Sequence, residues 1–237
     1  MDSTAQADLQ AARSHLAVAL DVGDLDQGLA LADELGTWFG VAKVGLELFT
    51  AAGPAAVTGL VDRGFEVFAD LKLHDIPNTV GRAAAAAGRH GLRYLTVHAA
   101  GGPAVLAAAV AGLASTAPSA GVLAVTVLTS EADAPESTLI ERVELAWDAG
   151  CVGVVCAAAD LEVVRRQGRG LLTVTPGIRL AGGDAGDQAR VATPGAALAA
   201  GADLLVVGRT VTAAAEPRAA ALAVATEAAG ALRQTLR

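Results

Sequence analysis

The chain has 237 residues, a length that suits one α/β barrel without a second domain. Its 17 basic and 25 acidic residues give a formal charge of −8, which repels phosphate backbones and excludes nucleic acid as an expected partner. No run approaches the roughly 18 uninterrupted apolar residues of a membrane span, so we expect none and no membrane partner.

The first 14 residues are polar and have no apolar run after a basic start, so we expect no signal peptide. The sequence leaves open whether residues 1–14 are ordered, and it predicts one catalytic barrel domain over residues 15–237. Cys151 and Cys156 have the spacing of neither a disulfide framework nor a zinc site. We therefore expect buried thiols in a reducing, cytoplasmic environment.

Short β-branched runs alternate with longer Ala- and Leu-rich segments along the whole chain. We predict eight strands, at 16–22, 41–46, 65–72, 94–98, 122–128, 152–156, 171–175 and 203–208. Helices are predicted between them, for example at 26–35, 54–63, 77–90, 103–115, 137–149 and 194–200.

Near-continuous apolar strands that are each followed by a helix indicate a parallel sheet covered by helices. Eight such units in one chain of this length favour a single (β/α)8 TIM barrel. The alternative is a doubly wound open sheet. The first predicted strand is followed by Val22-Gly23-Asp24, which lacks the Gly-rich phosphate turn that would favour that fold.

Charged residues stand at the predicted carboxyl ends of the first and third strands, where barrels carry their chemistry, and one more stands within the second strand. They are Asp21, Lys43, Asp70 and Lys72, with Asp75 in the turn that follows. Asp70 and Lys72 are two residues apart on a strand, so their side chains leave the same face. Structural alternatives exist: Asp75 could cap the next helix, Lys43 could extend to solvent, and the other two could form a structural ion pair.

A lysine between two aspartates has a definite chemical use. The flanking carboxylates favour its protonated form, so it can donate a proton to a carbanion. A carboxylate held about 4 Å from a substrate carboxylate repels it by about 4 kcal/mol at an effective dielectric of about 20. The largest enzymatic rate enhancements require ~20 kcal/mol, so most of the barrier reduction must come from tighter binding of the transition state.

The loops after strands seven and eight are the usual phosphate site of a barrel. Residues 179–190 are Gly-rich and long for such a connection, and Gly208-Arg209-Thr210 opens a helix whose backbone N–H groups can face an anion. We predict a phosphate site there, with loop 179–190 closing over it; an ordinary surface loop is the alternative.

The run from Asp70 to Thr79, DLKLHDIPNT, resembles the signature of orotidine 5′-phosphate decarboxylases, the bacterial branch in particular. The D-x-K-x-x-D core alone is shared with related sugar-phosphate lyases, and the HDIPNT extension makes the resemblance specific. Similar segments continue along the chain and cover about residues 16 to 216: LD at 20–21, KVGLELFT at 43–50, VTVLTS at 125–130, TPGIR at 175–179, GDQ at 186–188 and VGR at 207–209.

The resemblance implies a lyase without cofactor or metal that converts orotidine 5′-monophosphate to UMP and CO2 in de novo pyrimidine biosynthesis, as a homodimer. It implies that Lys72 protonates C6 of the pyrimidine after CO2 leaves, and that Asp70 stands against the substrate carboxylate. Asp75 and Thr79 would enter the partner subunit's site and contact the ribose. The other implied contacts are Asp21 and Lys43 at the ribose hydroxyls, Lys43 also joining the charged network, Thr129 at the pyrimidine edge, and Arg179, Gln188, Gly208 and Arg209 at the phosphate.

Two other functions stay open from the residues. A metal-dependent sugar-phosphate lyase of the same barrel superfamily shares the Asp/Lys/Asp core, and loss of activity with EDTA would support it. A non-catalytic barrel that binds a phosphate ligand is the alternative from another class. The intact set of Asp70, Lys72 and Asp75 argues against it.

Overall fold

The strands close into a barrel in sequence order. A computed structural model describes residues 3–128, 134–167, 169–182 and 190–235. Each strand pairs in parallel with the next, and the last pairs with the first, so the predicted (β/α)8 barrel is confirmed and the open sheet is wrong. The strands are β1 (Leu16–Ala19), β2 (Val41–Val44), β3 (Glu66–Leu73), β4 (Tyr94–His98), β5 (Gly121–Val125), β6 (Gly153–Val155), β7 (Leu172–Thr175) and β8 (Leu204–Val207).

Helices cover the outside of the barrel. Within the described residues they are α1 (Ser3–Ala12), α2 (Leu25–Leu35), α3 (Leu46–Ala52), α4 (Ala55–Val61), α5 (Pro77–Gly88), α6 (Pro103–Ala114), α7 (Glu136–Asp148), α8 (Leu161–Arg166), α9 (Pro194–Ala199), α10 (Arg209–Thr212) and α11 (Pro217–Thr235). The six predicted helices are present, and several begin at proline because its missing N–H is not needed in the first turn. None of these helices is long and apolar enough to cross a bilayer.

Several strands end earlier than the apolar pattern predicts. β1 ends at Ala19, β2 at Val44 and β5 at Val125, where the sequence favoured ends at 22, 46 and 128. Val127 is buried and lines the cavity of the barrel mouth although it lies outside the strand ladder. Apolar character beyond β5 therefore reflects burial around the cavity and not strand pairing.

Two apolar layers hold the barrel together. The larger one fills the space between strands and helices, and the smaller one fills the lower barrel interior with Ala17, Ala19, Val41, Phe68, Leu123, Val174, Leu204 and Val206. Side chains alternate between the two layers along each strand. The next inward positions on β2, β3 and β4 are Lys43, Asp70 and Thr96, so the polar site stands directly above the interior core.

The segment before the barrel is helical in the structure. α1 packs against α11 on the outside of the barrel, where Ala12 is fully buried and Arg233 Nη1 donates to Asp8 Oδ2 at 2.8 Å. The sequence left the order of this segment open, because its polar composition carries no clear apolar stripe.

Candidate active site

A row of alternating charges crosses the carboxyl ends of the first three strands. Lys43 Nζ lies 2.7 Å from Asp21 Oδ1 and 3.9 Å from Asp70 Oδ2, and Lys72 Nζ lies 2.7 Å from the same Asp70 oxygen. The inner side chains, Lys43 and Asp70, are 9% and 13% exposed, whereas Asp21 is 51% exposed. Each buried charge therefore has an oppositely charged neighbour, which offsets the cost of removing it from water.

Two of the structural alternatives are wrong. Lys43 does not extend to solvent, because the residue is 7% exposed and its ammonium is held between two carboxylates. Asp75 is not the N-cap of α5: the cap position is Ile76, and the Asp75 carboxylate accepts the Ile76 backbone N–H at 2.7 Å. The ion pair of Asp70 and Lys72 does exist, and both of its side chains line the cavity.

The backbone at Lys72 is unusual. Its φ of 48° is the positive φ of a non-glycine residue, and no other such residue occurs in the described parts of the chain. This conformation costs about 1–2 kcal/mol for an L-residue. The pairing of β3 with β4 shifts register between Ala69 and Leu73, so β3 is not a regular strand here. The predicted pairing of the two side chains is thus present, but on a bulged strand.

A cavity of about 430 Å³ opens at the carboxyl mouth of the barrel. The charged row forms one wall. The opposite wall, from β5 to β7, is apolar, and Phe68 lies in the floor. The apolar lining residues are Val125, Val127, Leu128, Val155, Cys156 and Pro176. Such a cavity accepts a flat ring against its apolar wall and presents charge to one edge of that ring.

Two arginines and a glycine line the cavity at the ends of β7 and β8. They are Arg179, Gly208 and Arg209. Arg179 Nη1 donates to the Ile178 carbonyl at 2.9 Å, which holds its guanidinium group close to the backbone at the mouth. A Cβ added at Gly208 would have its nearest neighbour, Ala19 Cβ, at an ordinary contact distance of 3.6 Å, so the backbone here is not crowded. Cationic side chains beside an accessible backbone N–H can receive a phosphate.

Not every predicted residue enters this cavity. Asp75 and Thr79 are exposed and are not among the residues that line the cavity of their own chain. Thr129, Gln188 and most of loop 179–190 lie outside the described residues. The sequence reasoning missed Thr96, whose hydroxyl bonds to Asp70, and Gly45, where an added Cβ would lie 2.5 Å from Asp21 Oδ1. Threonine is common in strands, so a single polar residue inside the apolar run of β4 gave little signal.

The other groups with possible metal or thiol chemistry are buried or dispersed. In the described ranges, no three His, Cys, Asp or Glu side chains lie close enough together to hold a metal ion. Both cysteines are free and buried, and burial raises the pKa of Cys151 and of Cys156 to about 12. The two thiols are therefore neutral at physiological pH.

A closed parallel barrel with paired Asp and Lys side chains on one wall and arginines at the last two strands defines a (β/α)8-barrel protein with an acid–base site for an anionic ligand. A family model described as "Orotidine 5'-phosphate decarboxylase / HUMPS family" matches residues 14–224. The chain belongs to this family.

Individual relatives agree over most of the chain. A protein of Moorella thermoacetica named orotidine 5′-phosphate decarboxylase is 49% identical, over 91% of this chain and 92% of the relative. One of Halorhodospira halophila with the same name is 48% identical, over 91% and 96%. The crystal structure of orotidine 5′-phosphate decarboxylase from Lactobacillus acidophilus superimposes with a TM-score of 0.77 at 34% identity, covering 90% of this chain and 98% of that one.

Proposed function

We propose that this protein is an orotidine 5′-phosphate decarboxylase, which converts orotidine 5′-monophosphate to UMP and CO2 in pyrimidine biosynthesis. The observation that carries the proposal is the row from Asp21 through Lys43 and Asp70 to Lys72, which places a carboxylate and an ammonium 2.7 Å apart at the cavity wall. Family membership and the names of the relatives support the same activity.

We propose one orientation of the substrate in the cavity. Its phosphate binds at Arg179, Arg209 and the Gly208 N–H, with Gln188 as a further ligand from outside the described residues. Its ribose hydroxyls meet Asp21 and Lys43, and Thr129 meets the pyrimidine edge. This pose puts the ring against the apolar wall and its C6 carboxylate at the charged wall.

Asp70 and Lys72 then perform the chemistry. The Asp70 carboxylate faces the substrate carboxylate, and their repulsion is relieved when the C6–carboxyl bond breaks and CO2 leaves. The electron pair of that bond stays on C6, and the Lys72 ammonium delivers a proton to it. The repulsion contributes about 4 kcal/mol at about 4 Å and an effective dielectric of about 20. Tighter binding of the carbanion-like transition state must supply most of the rest.

The proposed reaction needs no metal ion or organic cofactor. The electron pair released by decarboxylation remains on carbon until it is protonated, so no external electron acceptor is required. We further propose that residues 15–237 form one catalytic domain in the cytoplasm, where neutral, buried thiols such as those of Cys151 and Cys156 are stable.

Phosphate binding supplies energy at a distance from the reacting carbon. In this proposal, Arg179 and Arg209 bind the phosphate and thereby hold the pyrimidine ring in place. Closure of loop 179–190 excludes water from the ring. We expect orotidine without its phosphate to react with a much lower kcat/KM. Equal rates for nucleoside and nucleotide would contradict this part of the proposal.

We also propose that the protein is a homodimer in which Asp75 and Thr79 complete the partner's site. Both residues are exposed and lie beside Ile76, an apolar side chain that is 65% exposed. Asp75 and Thr79 follow the strand that carries Lys72. A partner subunit that covers Ile76 symmetrically would therefore have Asp75 close to the mouth of its own barrel. Sedimentation velocity measures the assembly state directly.

Mixing two inactive variants tests the shared site. Lys72→Ala and Asp75→Asn each lose activity alone if both residues act in every site. A hybrid dimer then has one site that receives Lys72 from one subunit and Asp75 from the other, and random mixing restores about a quarter of the wild-type activity. Mixtures that stay inactive after verified subunit exchange would contradict the shared site.

A turnover assay tests the activity itself. The absorbance of orotidine 5′-phosphate is followed with EDTA-treated protein and with protein supplied with a divalent cation. Equal turnover in both supports the proposal. Turnover of a sugar phosphate that EDTA abolishes supports the metal-dependent lyase, and ligand binding without turnover supports the binding barrel. Lys72→Ala is expected to abolish turnover while binding of UMP stays measurable.

A further inference from the structure

The charged row crosses β3 at the point where its pairing with β4 is irregular. Ala69 pairs with Leu95, and the next pair is Leu73 with Val97. Three residues of β3, from Asp70 to Lys72, therefore face one residue of β4, which is Thr96. A bulge of this kind redirects side chains but removes regular backbone partners from the bulged strand.

The Thr96 hydroxyl replaces one of those backbone partners. Its Oγ1 accepts the Lys72 backbone N–H at 2.9 Å and donates to Asp70 Oδ1 at 3.0 Å. The direction of the second bond is fixed, because an ionised carboxylate can only accept. Thr96 is fully buried and is not among the residues that line the cavity, so it acts on the site from behind.

Both bonds hold groups that would otherwise have freedom to move. The Asp70 carboxylate turns about a soft sp³–sp² torsion, and the Thr96 bond to Oδ1 fixes its plane. Oδ2 is then directed at the ammonium of Lys72, 2.7 Å away, and lies 3.9 Å from that of Lys43. The bond to the Lys72 N–H supports the left-handed backbone that brings this side chain to the cavity.

We propose that Thr96 is a positioning residue for decarboxylation, which sets the angle of the Asp70 carboxylate and the backbone of Lys72 with one hydroxyl group. The proposal rests on the proposed function. It predicts that the hydroxyl matters for the chemical step and little for substrate binding, because Thr96 does not reach the cavity.

The test compares Thr96→Val, which keeps the shape and removes the hydroxyl, with Thr96→Ser, which keeps the hydroxyl. We expect Thr96→Val to lower kcat by about 10- to 100-fold, the loss expected for one hydrogen bond to a charged group, with little change in KM. Thr96→Ser is expected to retain most of the wild-type kcat. A destabilised fold alone would not separate Val from Ser in this way.

Thr173→Val is the matched control. Thr173 is also fully buried on a barrel strand, and its hydroxyl donates to the Gly201 carbonyl at 2.8 Å, at the opposite end of the barrel. We expect this variant to unfold at lower urea concentration than the wild type but to keep its kcat. If Thr96→Val does not fold, Thr96→Ser and Thr96→Ala provide the same comparison, because they differ only in the hydroxyl.

The outcomes distinguish this proposal from the proposed function. Wild-type protein without decarboxylase activity would overturn the proposed function. Active wild-type protein with an unchanged kcat in Thr96→Val, or equal kcat values for Thr96→Ser and Thr96→Ala, would overturn the role of Thr96 alone.

Discussion

Replacing Gly45 by alanine is expected to damage the charged row without damaging the fold. Gly45 has φ −88° and ψ −178°, an extended conformation that alanine adopts readily. The new Cβ, however, would lie 2.5 Å from Asp21 Oδ1 and 2.9 Å from Lys43 Nζ. A methyl group cannot approach a carboxylate oxygen so closely, so the side chain of Asp21 must move by about 1 Å.

The size of the effect follows from the ion pair. Lengthening the 2.7 Å contact between Lys43 and Asp21 by about 1 Å weakens their attraction by about 1.6 kcal/mol at an effective dielectric of about 20. Asp21 is 51% exposed, so water screens the pair and the loss is nearer 1 kcal/mol. That corresponds to about a fivefold decrease in kcat/KM, and complete loss of the charged hydrogen bond would give up to about 100-fold.

Steady-state decarboxylation and urea unfolding together check this prediction. The free energy of unfolding should stay within about 1 kcal/mol, because alanine also restricts the unfolded chain. Gly23→Ala is the matched control: its new Cβ would have its nearest neighbour, Glu47 Oε1, at 3.7 Å, and we expect no loss of activity. Wild-type kcat/KM in Gly45→Ala would show that the contact between Asp21 and Lys43 is not used.

Three further predictions concern stability. Thr175→Val should raise the free energy of unfolding by about 1 kcal/mol in urea titrations, because the buried Thr175 hydroxyl has no hydrogen-bond partner in the described ranges. Asp203→Asn should lower it by about 1–3 kcal/mol, since this carboxylate accepts hydrogen bonds from Arg165 Nη2 at 2.7 Å and from the Thr173 N–H at 2.8 Å. Burial raises the pKa of both cysteines from 9.0 to about 12, so the unfolded chain loses these protons first. The free energy of unfolding should then fall between pH 9 and 12 by up to about 1.4 kcal/mol per pH unit for each thiol. In a variant with both cysteines replaced by alanine, the free energy of unfolding should fall less steeply over the same range.

The fold could be predicted because its signal is local and repeated. Each strand and helix leaves its own apolar period in the sequence, and eight repeats of one unit favour a closed barrel. The charged residues could be predicted as well, since parallel strands bring their carboxyl ends to one mouth. The sequence places Asp21, Asp70 and Lys72 at predicted strand ends and Lys43 within the second predicted strand, and the structure brings the four together.

The supporting residues could not be predicted, because their roles depend on pairing between strands. The bulge at Lys72 is defined by the residues of β4 with which β3 pairs. The sequence of β3 alone, read as a regular alternation of side chains, does not indicate it. Thr96 acquires its role only from that bulge. The proposed contribution of Asp75 and Thr79 to a second subunit likewise has no signal in the residue spacing, and it rests on the resemblance alone.

The register of the barrel explains why the central residue of the row is a lysine. Lys43 pairs with Ala19 on one side and with Phe68 on the other, both of which belong to the interior apolar core. Asp21 and Asp70 lie two residues after Ala19 and Phe68, so their carboxylates are one inward position nearer the barrel mouth. A side chain that starts beside the apolar core must be long to place its charge between these two carboxylates. Lysine has the long apolar stem that this requires, and the other common acid–base residues do not. The charged ends of the pair also crowd Gly45, two residues after Lys43, where an added Cβ would lie 2.5 Å from Asp21 Oδ1 and 2.9 Å from Lys43 Nζ.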